Sequence, residues 1–308
     1  MTLQTIRRLA HAHGRWLGTL LSLVALAAFL QAFTGHLQGQ DLVALLGQHR
    51  DALLAALLIY LAAYVPMSLA WTLLARRCGA QALPGPLLRV FLVSQIGKYL
   101  PGNVGHLLGR AWMAQRIGVP VGTTAMALTL EMAGVLSAGA LLAFATGLAA
   151  PETGDHLARY LPFVAAGLAA VLLAALLVLS RKRVTARAPA VGAFCLALVC
   201  YLLVFALLAA AHGVMLGMIS GIWTASALIQ LTAAVLFSWL VGFLVPGAPA
   251  GLGLREISLM ALLAGVYPAA TVAFAVAAMR LVTMTGDGIA CLAGLVLIPG
   301  PAPQRAVA

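Results

Sequence analysis

The chain is a string of apolar runs, each about as long as a bilayer is thick, and this leaves few ways for it to fold. A helix needs about 20 mostly apolar residues to cross the hydrocarbon core. Runs of that kind fall at 17–34, 52–75, 120–149, 160–180, 190–211 and 268–298. Hydrophobic residues make up 63% of the 308 residues and charged residues 8%, with a mean hydropathy of +1.06. A soluble domain carries about 25% charged residues, so a water-soluble globule is excluded. Lys and Arg outnumber Asp and Glu by 18 to 7, a net charge of +11. A nucleic-acid binder spreads such an excess over a solvated face. Here the cations punctuate apolar runs, and the implied partner is the bilayer, with no nucleic acid.

Two features that could mislead are set aside first. The apolar run at 17–33 follows Arg7, Arg8 and Arg15 as in a signal peptide. No small-x-small cleavage site leading into a polar domain follows it, so it reads as a retained first span. Cys78, Cys195, Cys200 and Cys291 form no CxxC pair and have no nearby His at ligand spacing. They read as packing residues rather than a disulfide framework or metal site, and no cofactor is implied.

Two further apolar stretches, 86–117 and 222–266, are broken at their centres by Pro and Gly. The charges decide how they lie. One side collects Arg7, Arg8, Arg15, Arg76, Arg77, Arg89, Arg116, Arg181, Lys182, Arg183, Arg187 and Arg305. The other has Arg50 and Arg159 beside Asp41, Asp51, Glu152 and Asp155. Positive loops face the cytoplasm, which puts both termini there, provided each broken stretch dips in and returns to its own side. The expected fold is an all-α polytopic membrane protein with six transmembrane helices and two re-entrant hairpins in an inverted repeat. It is one integral membrane domain over 1–308, in a bacterial-type cytoplasmic (inner) membrane. Within it, 17–34 is the first span, 50–149 is repeat 1 with hairpin 86–117, 160–180 links, and 190–298 is repeat 2 with hairpin 222–266.

The two breaks share their spacing. Gly97, Pro101, Gly102 and Arg110 in the first match Gly242, Pro246, Gly247 and Arg255 in the second without gaps. Pro removes a backbone donor and Gly permits a positive φ. Irregular backbone at membrane depth is tolerated only where it lines protein or a wet cavity. The half-helix that follows such a break offers free amides and partial positive charge to an anion such as phosphate. Inverted repeats with a shared midplane site are a recurring design of secondary transporters. Gly97, Pro101, Gly102, Asn103, His106, Pro246, Gly247, Gly251 and Gly253 are therefore the candidate cavity-forming residues. Two kinked ordinary spans would be the plainer arrangement, but kinks alone leave the paired Arg and the charge topology unexplained.

GKYLPGNVGHLLGR, then Glu131, then VPGAPAGLGLREISL resemble the two halves of the lysylphosphatidylglycerol synthase transmembrane, or flippase-like, family. The resemblance covers about 50–300. It implies the lipid-translocating half without the soluble aminoacyl-transferase domain of two-domain members, since the chain reaches Ala308 soon after the last apolar run. Members lacking that domain are associated with hopanoid or polyprenyl-glycolipid pathways, which leaves the lipid open. The family commonly has an acidic residue where this chain has His106.

An ionisable side chain at mid-membrane costs roughly 2.5–3.5 kcal/mol on insertion scales and marks a functional site by default. Glu131 falls inside the 120–149 run, as a partner for Arg110 or Arg255 or as a helix–helix hydrogen bond. Arg110 and Arg255 suit bidentate contact with a phosphate; a cytoplasmic surface position is the plainer reading of Arg110. Arg255 and Glu256 are adjacent and point to different faces, so one faces the cavity while the other pairs elsewhere. Lys98 either snorkels or neutralises a phosphate, and His106 is either a titrating group or a hydrogen-bonded linker. Lys98, Arg110, Arg255, Glu131 and Glu256 form the expected headgroup site. Arg280 and Asp287 are secondary candidates, seven apart in the last run and read as an internal ion pair bridged by another helix. Gly213, Gly217 and Gly221 suggest close helix packing.

No nucleophile elbow, HExxH or phosphate-loop lysine motif occurs, so no catalytic residues and no metal are expected. Three roles fit the sequence. The leading one is a flippase or transporter of an anionic phospholipid or polyprenyl-phosphate lipid. A membrane transferase using Glu131 and Asp287 is the second, and a non-catalytic partner of a lipid-modifying enzyme the third. The chain acts alone or as a homo-oligomer.

Overall fold

The computed structural model describes residues 20, 22–37, 39, 41–100, 104–149, 187–245 and 249–298. The expected span at 160–180, and Pro101, Gly102, Asn103, Pro246 and Gly247, lie outside the described residues. The protein is all-α, with no β-strand among the described residues. Among the described residues, five helices are long and apolar enough to cross a membrane: Arg50–Arg77, Val121–Thr146, Val191–Ser220, Ala225–Leu244 and Ala269–Val296. That is the make-up of a multi-pass membrane protein.

In chain order the helices are α1 (Ser22–His36), α2 (Leu42–Gln48), α3 (Arg50–Ala62) and α4 (Tyr64–Arg77). Then come α5 (Pro84–Ser94), a 3-10 turn (Gln95–Tyr99), α6 (Gly105–Arg116) and α7 (Val121–Ala149). The second half holds α8 (Arg187–Ser220), α9 (Ala225–Leu244), a 3-10 turn (Pro249–Gly251), α10 (Leu254–Leu262) and α11 (Ala269–Val296).

Local chemistry explains several boundaries. α3 runs into α4 through Ala63, which keeps helical dihedrals (φ −64°, ψ −20°). Pro66 has no N–H to offer the carbonyl one turn back, so the ladder is interrupted there without the axis ending. Asp41 caps α2 by accepting from the N–H of Val43 at 2.9 Å and of Ala44 at 3.2 Å, and Thr224 caps α9 through the N–H of Ala227 at 3.3 Å. Arg89 of α5 donates to the carbonyls of Leu295 (3.2 Å) and Ile298, so it closes the end of α11. Those carbonyls have no intrahelical partner and favour a cation.

The two broken stretches differ in build. The first has arms of 11 and 12 residues on either side of its break, α5 and α6. The second has a 20-residue arm, α9, and a 9-residue arm, α10. Within the expected re-entrant hairpin 222–266, α9 has the length and composition of a full crossing. The Gly213, Gly217 and Gly221 pattern packs α8 against α9 and the turn before it. A methyl on Gly213 would touch Leu228 (3.5 Å) and Leu231 (3.8 Å) of α9, one on Gly217 would lie 2.6 Å from the Trp223 ring, and Gly221 takes φ +74° in the turn between the helices.

α8 is the hub and packs against α3, α4, α7, α9 and α11. The core of the described residues falls into two large apolar clusters and a small third one around Ala25 and Leu254. One of the large clusters gathers Trp71, Phe91, Leu130, Tyr201, Phe205 and Leu240, and the other Phe29, Met215, Leu231, Leu263, Phe274 and Met279. Tyr60 and Leu208 pack against both. Small residues bring the helices close, as expected where lipid gives helices no hydrophobic reason to associate. A methyl on Gly134 would sit 2.7 Å from the Tyr201 ring, and one on Gly286 would sit 2.5 Å from the Tyr60 ring. Gly286→Val should therefore destabilise by about 1–3 kcal/mol through overpacking, read as a lower thermal midpoint in detergent. Gly109 faces open space, so Gly109→Ala should leave that midpoint unchanged.

Candidate functional site

The two breaks meet. The turn Gln95–Tyr99, beside the first break, packs against the turn Pro249–Gly251, beside the second. Each owes its tight path to glycine. A methyl on Gly97 would fall 2.8 Å from the backbone of Gly105 and His106. Gly251 has φ +71° and lies against Gly242.

Where the breaks meet, a cavity of about 210 Å³ opens. Its walls carry Lys98, Arg110, Glu131, Arg255, Glu256, Arg280 and Asp287, together with His106. Every charged side chain singled out in the sequence thus faces one space. Tyr60 and Leu208, which join the two apolar clusters, are also in its wall.

Three of the four cations are paired. Arg110 is almost fully buried (1% exposed) and bonds to Glu131, with its Nε donating to Ser94 Oγ at 3.2 Å. Its guanidinium lies between the rings of Trp71 (4.8 Å) and Phe91 (4.6 Å), a cation–π sandwich. Of the two partners the sequence allowed for Glu131, Arg110 is the one it meets. The surface position considered for Arg110 is not where it lies.

Asp287 is fully buried and receives four donors. Lys98 Nζ stands at 2.7 Å, Tyr60 donates at 2.7 Å, and the hydroxyls of Tyr64 and Tyr99 complete the set. An ionised carboxylate offers about four lone-pair sites, so Asp287 is saturated. Lys98, read as snorkelling or phosphate-binding, is instead tied to α11 in this structure.

Arg280 pairs with Glu256 at 3.5 Å and donates to the Ala250 carbonyl at 3.4 Å. Ala250 holds φ 49°, a region costly for any residue with a Cβ, and the Arg280 contact fixes it. The other oxygen of Glu256 accepts from the Gly253 N–H at 2.6 Å. One amide at the head of α10, that of the N-cap Gly253, is thus taken by the chain's own carboxylate. Arg280 and Asp287 do not pair with each other through an intermediary: each holds one of the two breaks to α11.

Arg255 is the exception. Among the described residues it has no carboxylate within salt-bridge range, and its buried Nε has no hydrogen-bond partner. It lies over the Trp239 ring at 5.3 Å, and Trp239 stacks on Phe243 with centroids 5.0 Å apart. Gly242 and Gly251 make its seat: methyls there would come within 2.4 Å of its Cγ and 2.6 Å of its Nε. Arg110 and Arg255 occupy equivalent places in the repeat, yet one is locked in the protein and the other is open to the cavity.

Reasoning from sequence missed the neutral part of the wall. Tyr60, Tyr64, Tyr201 and Ser238 belong to no motif, Tyr99 lies in the first motif without a role assigned to it, and single hydroxyls in apolar runs give little signal. Among the described residues, His106 Nδ1, Tyr201 Oη and Ser238 Oγ are buried and have no hydrogen-bond partner. No group of three His, Cys, Asp or Glu side chains among the described residues is arranged to hold a metal ion. No protein-family model matches the chain, and no curated protein matches it.

Removing one member of a buried pair strands the other in a poor solvent, at about 3–5 kcal/mol. Glu131→Ala should accordingly lower the thermal midpoint sharply. Arg110→Met combined with Glu131→Leu should recover most of the loss, since apolar replacement of both partners is often neutral. An unaltered midpoint in Glu131→Ala alone would show that the pair carries no structural load.

Proposed function

We propose that the protein is a lipid flippase or transporter of the bacterial-type cytoplasmic membrane that moves an anionic lipid between leaflets, and that it is a stand-alone member of the lysylphosphatidylglycerol synthase transmembrane family. One observation carries the reading. Side chains from both broken stretches converge on one cavity holding four cations, Lys98, Arg110, Arg255 and Arg280, against three carboxylates, Glu131, Glu256 and Asp287. A buried cation without a partner is expensive, and an anionic headgroup supplies the missing charge.

The shape of the breaks supports the same reading. At 1.5 Å per residue, α5 and α6 each reach about half of a ~30 Å hydrocarbon core, as the arms of a re-entrant hairpin do. The repeat spacing and the positive-inside charge pattern support an inverted pair with both termini in the cytoplasm. In this mechanism the phosphate enters beside Arg255 while the tail stays in lipid. Arg280 and the Lys98–Asp287 pair hold the two breaks around it. Rocking of one repeat against the other then exposes the site to the opposite side. A transferase would need Glu131 and Asp287 free for acid–base work, and the ion pairs they make favour binding over catalysis.

The test is transport of a tail-labelled anionic phospholipid in proteoliposomes, followed by chemical quenching from outside. Loss of a charged hydrogen bond is worth about 1.5–3 kcal/mol, so Arg255→Ala should slow translocation roughly tenfold to a hundredfold. Gly242→Val, which fills the seat of the Arg255 side chain, should act in the same direction. Full activity in both Arg255→Ala and Glu131→Ala would defeat the site assignment.

A further inference from the structure

The three ion pairs of the cavity differ in how far they are closed off, and the difference singles out Lys98 and Asp287. Arg110 and Glu131 are both buried, and Arg110 is held further by Ser94 and two rings. Glu256 is shared between Arg280 and the Gly253 N–H. In the third pair the partners are unequal. The Asp287 side chain has no exposed surface, whereas Lys98 lines the cavity and keeps 22% of its side chain exposed. The ammonium is the accessible half and the carboxylate the sealed half.

Their mountings are unequal too. Asp287 sits well inside the 28-residue α11, which packs against α3, α5, α8 and α10. Of the four cations in the wall, Lys98 alone is carried by a turn, the 3-10 segment Gln95–Tyr99. Hydrogen bonds of that geometry are poorer than those of an α-helix, and such stretches often mark hinges. Lys98 also lies within electrostatic reach of Arg255 and Arg280, two like charges. An anion seated at Arg255 therefore has a second, movable cation to draw on.

What Asp287 keeps when Lys98 leaves decides the rest. Tyr60, Tyr64 and Tyr99 still donate to it, but three neutral hydroxyls do not balance a charge in an apolar body. A buried carboxylate that loses its counter-ion takes a proton instead. The tyrosines accommodate the change, because a hydroxyl donates or accepts. The acid proton is then given to one phenolic oxygen, and no polar atom is stranded. Tyr60 also supplies a path: its hydroxyl lies 2.7 Å from Asp287 and 3.4 Å from Lys98 Nζ, so it takes a proton from the cavity side and passes its own to the carboxylate. Glu131 and Glu256 keep their arginines, and Arg89 on α5 binds the far end of α11. His106 on α6 and His212 on α8 line the same cavity and are the rival proton acceptors.

We infer that the Lys98–Asp287 pair couples the anion to a proton: an anion bound at Arg255 takes Lys98 from Asp287, Asp287 gains one proton from water, and anion and proton travel together. One ammonium–carboxylate contact is exchanged for one ammonium–anion contact and one O–H bond, and a singly charged anion with its proton is neutral. The pair that holds the first break while the anion approaches gives way once it is seated. Of the two bonds that tie the turn Gln95–Tyr99 to Asp287, only that of Tyr99 then remains. The inference rests on the transport reading for the movement, and on the anion at Arg255 for the exchange of partners.

The experiment uses the full chain in detergent with dihexyl phosphate, a diester of fixed single negative charge near neutrality. Calorimetry in buffers of different ionisation heat counts the protons taken up on binding. The unaltered protein should take up about one proton per anion, and its affinity should rise about tenfold for each pH unit lowered, since binding and protonation are then linked. Asp287→Asn should still bind the anion but lose both the proton uptake and the pH dependence. Lys98→Gln leaves the carboxylate without an ammonium in either state, so it should lose the uptake as well, and it serves where Asp287→Asn does not fold. In proteoliposomes, a pH gradient of about one unit should enrich a tail-labelled anionic phospholipid roughly tenfold in the leaflet facing the alkaline side. A membrane potential alone should move nothing, because the pair that travels is neutral. Anion binding without proton uptake overturns the inference and leaves the transport reading standing. Uptake that survives Asp287→Asn assigns the proton to His106 or His212 and overturns it too, as does translocation indifferent to the pH gradient. Uptake without translocation upholds the proton exchange and removes the transport reading, and absence of any binding removes both.

Discussion

Charge inside an apolar body must be answered by charge, and the arrangement of this protein turns on how α11 does so. Asp287 and Arg280 lie on one helix, seven residues apart and so close to one face. Asp287 takes Lys98 from the turn before the first break, and Arg280 takes Glu256 and the Ala250 carbonyl at the second. One straight element therefore ties down two irregular ones. Without these contacts, the Gln95–Tyr99 and Pro249–Gly251 turns would present bare polar backbone to hydrocarbon, which is tolerated only where protein or water meets it. The pairs hold position more than they add stability, because the desolvation of buried ions consumes most of the attraction between them.

The repeat-related arginines illustrate how similar sequences come to do different work. Arg110 has a carboxylate, a serine hydroxyl and two aromatic faces. Arg255 has one aromatic face and two glycines, and no carboxylate within salt-bridge range among the described residues. The glycines of the pair have diverged as well. Gly97 admits backbone, whereas Gly242 admits the arginine side chain. Symmetry of spacing is thus joined to asymmetry of charge.

Much of this was legible beforehand, for a physical reason. An ionisable residue in an apolar run is rare and conspicuous, so Lys98, Arg110, Glu131, Arg255, Glu256, Arg280 and Asp287 could be picked out without any structure. Which of them pair was not legible. Adjacency alone separates Arg255 from Glu256, since neighbours on a helix face different ways, but that Lys98 meets Asp287 and Arg280 meets Glu256 is visible only in the fold. The hydroxyl wall escaped notice because Tyr and Ser are unremarkable in such runs. Five of the expected apolar runs, and the arms on either side of the two Pro-Gly breaks, have helical counterparts among the described residues, but α9 is longer than a hairpin arm requires. Its Trp239 and Ser238 fill positions that hydropathy alone treats as interchangeable with leucine.

The reach of the Asp287 cluster bears on how the protein is made. Tyr60, Tyr64 and Tyr99 precede their common acceptor by 227, 223 and 188 residues. A growing chain places these groups in or near the bilayer long before the carboxylate is synthesised, so Lys98 spends most of translation without its counter-ion. The first helix waits similarly. Leu26 touches Gly253 so closely that no side chain fits between them, and that seat does not exist until the second break has emerged. Assembly therefore ends where it began. The earliest helix docks among the last, and α11 closes over partners that were inserted well before it.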